Sequence, residues 1–109
     1  MNTNTETMNS KRYPDVGECV LGEVRRVAEM GAYVYLPEYD REGMILFSEL
    51  SPDWFDGPHT MRKLVKAGQQ IVVKVIRVDT EKDYIDLSKT KVTPEDITNA
   101  EERYKLYLA

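Results

Sequence analysis

The run IVVKVIRV, from Ile71 to Val78, constrains this chain more than any other stretch of it. Side chains branched at Cβ are stiff at χ1 and crowd a helix, whereas on a pleated strand they pack well against their neighbours. After the turn residues DTEKD, the run YIDLS returns from Tyr84 to Ser88. The two runs are therefore read as an antiparallel hairpin.

Three further strands are legible upstream. ECVLGEVRRVA, from Glu18, alternates, with Val20, Gly22, Val24 and Arg26 on one side and Cys19, Leu21 and Glu23 on the other. Gly31 to Leu36 is rich in Tyr and Val and is stopped by Pro37; Gly43 to Leu46 is short and apolar and turns into a helical piece at Ser48. Five short strands in 109 residues must hide their edges. The expected fold is all-β: a five-stranded antiparallel OB-fold barrel with a helical insertion after the third strand. In TPEDITNAEERYKLYLA, Thr93 is placed to cap a helix, Pro94 takes its first position and acids fill its first turn. Ile97, Tyr104 and Leu108 share a face of that helix, with Ala100 and Ala109 nearby. Residues 1–12 read as a flexible tail, 13–92 as the barrel domain, and 93–109 as a helix that either caps the barrel or starts a helical domain.

Several chemistries are disfavoured. With one cysteine, Cys19, and one histidine, His59, there is no internal disulfide, no Cys/His zinc cluster and no catalytic triad. Cys19 reads as a small residue in or beside a strand and His59 as a loop residue, and neither catalytic residues nor a cofactor are expected. No apolar run is long enough to cross a bilayer, and Met1 to Ser10 lacks the apolar centre of a signal peptide, so a cytoplasmic, monomeric protein without a membrane partner is expected. The net charge of -4 weakens a nucleic-acid reading, because non-specific affinity comes from Lys and Arg displacing phosphate counterions. MRKLVK, with Arg62 and Lys63, remains a local basic stripe.

The segments VLGEVRRVAEMGAYVYL, EGMILFSELS and VIRVDTEKDYIDLSK together resemble the S1-type OB domain at the N-terminus of the alpha subunit of eukaryotic translation initiation factor 2, over Tyr13 to Glu102. General S1 domains stack single-stranded bases on aromatic side chains. At the platform positions this chain has Met30, Tyr33 and Leu46, so only Tyr33 keeps that function. Nucleic-acid contacts would fall on Tyr33, Arg62 and Lys63, with weak or no autonomous RNA binding.

The resemblance also implies a kinase partner. In that family, stress kinases grip the barrel largely through a hairpin motif matched here by KDYID, which assigns docking to Lys82, Tyr84, Ile85 and Asp86, with Met44 and Tyr33 beside them. Asp83 stands where the family usually has Gly, and Asp tolerates left-handed backbone better than most residues. Counting back from the helix that matches MRKLVKAG places Thr60 at the phosphoacceptor position, where it also suits a helix N-cap. The segment before it, PDWFDGPHT, carries Asp53 and Asp56 but no Lys or Arg, while Trp54 and Phe55 either anchor it to the barrel or form an exposed contact. A kept grip with an altered acceptor loop implies a pseudosubstrate of the poxvirus and iridovirus type, which occupies the RNA-dependent antiviral kinase and spares the host factor. The alternative is the N-terminal domain of a divergent cellular factor regulated at Thr60.

Overall fold

The structure, a computed structural model, describes residues 13–50 and 65–108, with side chains as far as Arg103. Its elements run β1 (Cys19–Val27), β2 (Gly31–Leu36), β3 (Arg41–Leu46), α1 (Phe47–Leu50), β4 (Gln70–Asp79), β5 (Tyr84–Ser88) and α2 (Pro94–Leu108). The strands close into a barrel in the order β1-β2-β3-β5-β4, with β4 returning to β1. This is the expected five-stranded barrel with a short helix after the third strand and a C-terminal helix.

Four ladders are antiparallel, and β3 pairs with β5 in parallel through Met44 opposite Asp86 and Ile45 opposite Leu87. A ring with an odd number of strands cannot alternate direction at every step, so a closed five-stranded barrel must contain a parallel pair. Gly43 lies at this seam. A Cβ there would come within 2.7 Å of Leu87 Cδ1 and 3.1 Å of the Ile85 carbonyl oxygen. The close approach of β3 to β5 thus depends on the missing side chain.

Val20, Val24, Val34, Leu36, Ile45, Val73, Val75, Ile85 and Leu87 fill the barrel. Two bulges interrupt the alternation, one between Val24 and Arg26 and one between Val75 and Arg77. By strict parity Arg26 would follow Val20 and Val24 inward, as the sequence implies, and Arg77 would follow Val73 and Val75. One extra residue in each strand turns both arginines outward, where they are exposed, and packs Val27 and Val78 against the core instead.

Helix α2 begins as its sequence requires. The Asp96 amide donates to Thr93 Oγ1 at 3.1 Å and the Thr93 amide donates to the Asp96 carboxylate at 3.0 Å, a reciprocal cap. The helix lies over the outer side of β1 and β4, where Ala100 is buried with Leu21 and Val72. Ile97 is 40% exposed, because the contact with the sheet runs through Ala100. The side chains of Tyr104, Leu108 and Ala109 lie outside the described residues. Arg103 fastens the helix further along: its Nε donates to Glu38 Oε2 at 3.1 Å, and its guanidinium also donates to the Cys19 carbonyl. Burial and the neighbouring Asp96 push the Cys19 thiol up, which is opposite to what thiolate reactivity needs.

Helix α1 is tied to the end of β5. The Glu49 carboxylate accepts from Ser88 Oγ at 2.7 Å and from Lys91 Nζ at 2.8 Å, and the Glu49 carbonyl accepts from the amides of Lys89 and Thr90. Ser88 is fully buried, so its hydroxyl needs this partner. Among the described residues, no helix is long and apolar enough to cross a membrane, and no cluster of three or more His, Cys, Asp or Glu could hold a metal ion.

Candidate docking face

The ladders place one outward residue from each strand in a single row: Arg26 opposite Tyr33, Tyr33 opposite Met44, Met44 opposite Asp86, and Asp86 opposite Arg77. The row crosses all five strands, and the two bulges supply its ends. Of the residues that the sequence assigned to kinase docking, Tyr33, Met44 and Asp86 are brought together here, with Tyr84 two residues before Asp86 on the same face of β5.

Charge and ring contacts fix the row. The Arg26 guanidinium sits 4.3 Å from the centre of the Tyr33 ring. At the other end Arg77 Nε lies 3.2 Å from Asp86 Oδ2, and the Arg77 guanidinium is 5.9 Å from the Tyr84 ring centre. Burial raises the Tyr84 phenol above its ordinary range, and its hydrogen bond to Asp86 and that carboxylate's charge act in the same direction. At neutral pH Tyr84 therefore presents a protonated hydroxyl beside a carboxylate. An exposed cation–π contact or ion pair is worth only about 0.5–1 kcal/mol, so these contacts set side-chain orientation more than they hold the barrel together.

Ile85, also assigned to docking, is 1% exposed and belongs to the barrel interior. Its neighbours in sequence face out, and strand periodicity turns it in. It supports the face from below. Lys82 is exposed in the β4–β5 turn, where its amide and that of Glu81 both donate to Asp79 Oδ1 at 3.2 Å. Asp83 adopts φ 55, the left-handed conformation expected for this position. Its carboxylate accepts from Tyr13 Oη at 2.8 Å and pairs with the Arg41 guanidinium, which stacks 3.9 Å from the Tyr13 ring centre.

Thr60, Arg62 and Lys63, and with them Trp54 and Phe55, lie outside the described residues. Four residues of the face and its turn were missed in the sequence: Arg26, Arg77, Tyr13 and Arg41. For the first two the parity of the strands pointed the wrong way, and for the last two the partner, Asp83, lies far along the chain.

Comparison with known proteins bears on this face. The family model described as S1 RNA binding domain matches residues 13–90. The chain is 47% identical over 95 residues to eukaryotic translation initiation factor 2 subunit 1 of Plasmodium falciparum, which covers 86% of this chain and 28% of that protein. It is 50% identical over 98 residues to an Arabidopsis thaliana homologue of the alpha subunit, covering 89% and 28%. The chain thus spans 28% of the length of these curated relatives. Among solved structures, the a/eIF2alpha-aDim2p-rRNA complex from Pyrococcus horikoshii matches with a TM-score of 0.77 at 37% identity, over 85% of this chain and 54% of that one. A protein of vaccinia virus matches with a TM-score of 0.51 at 29% identity, over 70% of this chain and 88% of that one.

Proposed function

For a chain that belongs to the S1 RNA-binding domain family and is homologous to the alpha subunit of eukaryotic translation initiation factor 2, we propose that it acts as a docking module for the kinases of that subunit. The observation that carries this reading is the row across the barrel, which sets Met44 at the centre of an open face between Tyr33 and Asp86. Lys82 and Tyr84 flank it on the hairpin. The face offers a partner an apolar centre, two amphipathic rings and charges of both signs. That composition suits a protein partner, since interfaces concentrate aromatic, Met and Arg side chains at their centre.

RNA is a weaker occupant of the same surface. The net charge is -4, and Tyr33, the aromatic residue kept at the platform positions, already carries the Arg26 guanidinium against its ring. The sequence identities favour a factor-like module over a viral one, and such a module would be phosphorylated by the kinase it docks. A pseudosubstrate is the second reading. It is supported by the vaccinia neighbour and by residues 52–60, which hold two aspartates and no Lys or Arg.

One experiment separates these readings. The chain is titrated against the RNA-dependent antiviral kinase and intact initiation factor 2 alpha, and phosphate is followed on both proteins. Docking predicts loss of phosphate on the factor, relieved by Tyr84→Ala and Asp86→Ala. Phosphate gained on this chain, at Thr60, marks a substrate; inhibition with none gained marks a pseudosubstrate. Full phosphorylation of the factor at every concentration would defeat both.

A further inference from the structure

We propose that Tyr13, Arg41 and Asp83 form a lock that presets the β4–β5 turn, so that Lys82 and Tyr84 are held in their docking arrangement before a partner arrives. The inference rests on the docking reading for its consequence but not for its geometry. Asp83 occupies φ 55, a backbone state that glycine reaches more easily. What aspartate adds there is a carboxylate, and it joins three separate parts of the chain. The Tyr13 hydroxyl donates to it from ahead of β1, and the Arg41 guanidinium pairs with it from the start of β3. Tyr13 also reaches the Thr80 carbonyl at 3.5 Å, and Asp79 Oδ1 holds the amides of Glu81 and Lys82 from the other side of the turn.

The parts of the lock differ in exposure, which makes it stronger than an ordinary surface pair. The Asp83 side chain is 66% exposed, but that of Arg41 is only 15% exposed beneath the Tyr13 ring. A guanidinium so placed has lost much of its freedom already, so little more is lost when it binds the carboxylate. Arg41 is also one strand position from Glu42 and three from Met44, so the lock joins the turn to the strand that carries the centre of the docking row. A turn fixed in advance spares a partner the ordering of two long side chains.

The test uses the full chain with Arg41→Gln, Asp83→Asn, the double variant and Tyr13→Phe, which keeps the stacked ring and removes the hydroxyl. Amide exchange is read at Glu81, Lys82, Asp83 and Tyr84, together with affinity for the kinase domain and the thermal midpoint. Either single charge variant is expected to raise exchange in the turn and weaken kinase binding about fivefold, and the double variant to do no more than a single one, as coupled partners require. Unchanged exchange in Arg41→Gln and Asp83→Asn would overturn the lock. If exchange rises but affinity holds in variants where Tyr84→Ala still abolishes binding, presetting is refuted. If the wild-type chain does not bind the kinase at all, the docking reading has failed, and the exchange arm still decides whether the lock exists. Should Arg41→Gln fail to fold, Tyr13→Phe carries the same comparison.

Discussion

The outer surface of the barrel has two halves that resolve the same problem differently. Over β1 and β4 the outward residues Leu21 and Val72 are apolar, and α2 seals them with Ala100. Along the row through β2, β3 and β5 the outward residues include Tyr33, Met44, Tyr84 and Asp86, flanked by Arg26 of β1 and Arg77 of β4, and no described element covers them. The first half is held by removal of apolar area from water, the second by guanidinium groups that orient rings and a carboxylate. A sheet face kept in shape by weak polar contacts can exchange them for a partner's at little cost. A face sealed by a helix cannot.

This contrast is most open to attack on its covered side. Leu21→Ala removes a buried side chain between sheet and helix, and equilibrium urea unfolding is expected to show a loss of about 2–4 kcal/mol. A smaller effect comes from the cap that starts the same helix. Thr93→Ala removes the acceptor for the Asp96 amide and should cost about 1 kcal/mol, whereas Thr93→Ser, which keeps the oxygen, should cost much less. If Leu21→Ala were nearly neutral, the helix would be an appendage and the two halves would not differ in kind.

How legible these halves were in the sequence follows from the range of the interactions that make them. The hairpin of Ile71 to Ser88, the strand of Gly31 to Leu36 and the helix start at Thr93 all depend on residues close in sequence, and local pattern was enough to find them; the bond that Asp96 returns to the Thr93 amide was added by the structure. The parallel seam of β3 with β5 follows from closing an odd ring, which no single strand encodes. The bulges at Val24/Arg26 and Val75/Arg77 were not legible, because strand parity sends both arginines inward while their charge must stay in water. That conflict was the signal available: an arginine at an inward position beside a valine one residue later. The residues proposed for docking on β5 were assigned through a family motif, which included Ile85 along with its neighbours although alternation alone turns it into the core.

The Glu49 cluster joins α1 to the end of β5. The Lys91 ammonium and then the Ser88 hydroxyl hold the Glu49 carboxyl below its usual range, against the opposing effect of burial. A carboxylate whose folded pKa is depressed contributes stability that is complete above its unfolded pKa, near about 4.3, and is lost as pH falls through the folded value. Glu49→Gln should therefore lower stability modestly at neutral pH and flatten the decline below about pH 4, measured as urea midpoints across pH. An unchanged acid limb would show that α1 is held by the backbone bonds from Lys89 and Thr90 instead.

The smallest effect on stability belongs to the open half, and it tests the comparison most directly. Met44 sits at the centre of the row, only partly buried, between Tyr33 and Asp86. Truncation to alanine removes neither a charge nor a buried polar partner, so the loss should stay below about 1 kcal/mol, well under that of Leu21→Ala. Affinity for the kinase domain should fall by roughly tenfold, because a flexible thioether at the centre of a contact contributes area that a partner desolvates. Equal stability losses in Met44→Ala and Leu21→Ala would mean that the open face is core rather than contact surface. A stable Met44→Ala that binds like wild type would leave the face open but move the contact towards the hairpin, where Lys82 and Tyr84 would have to carry it alone.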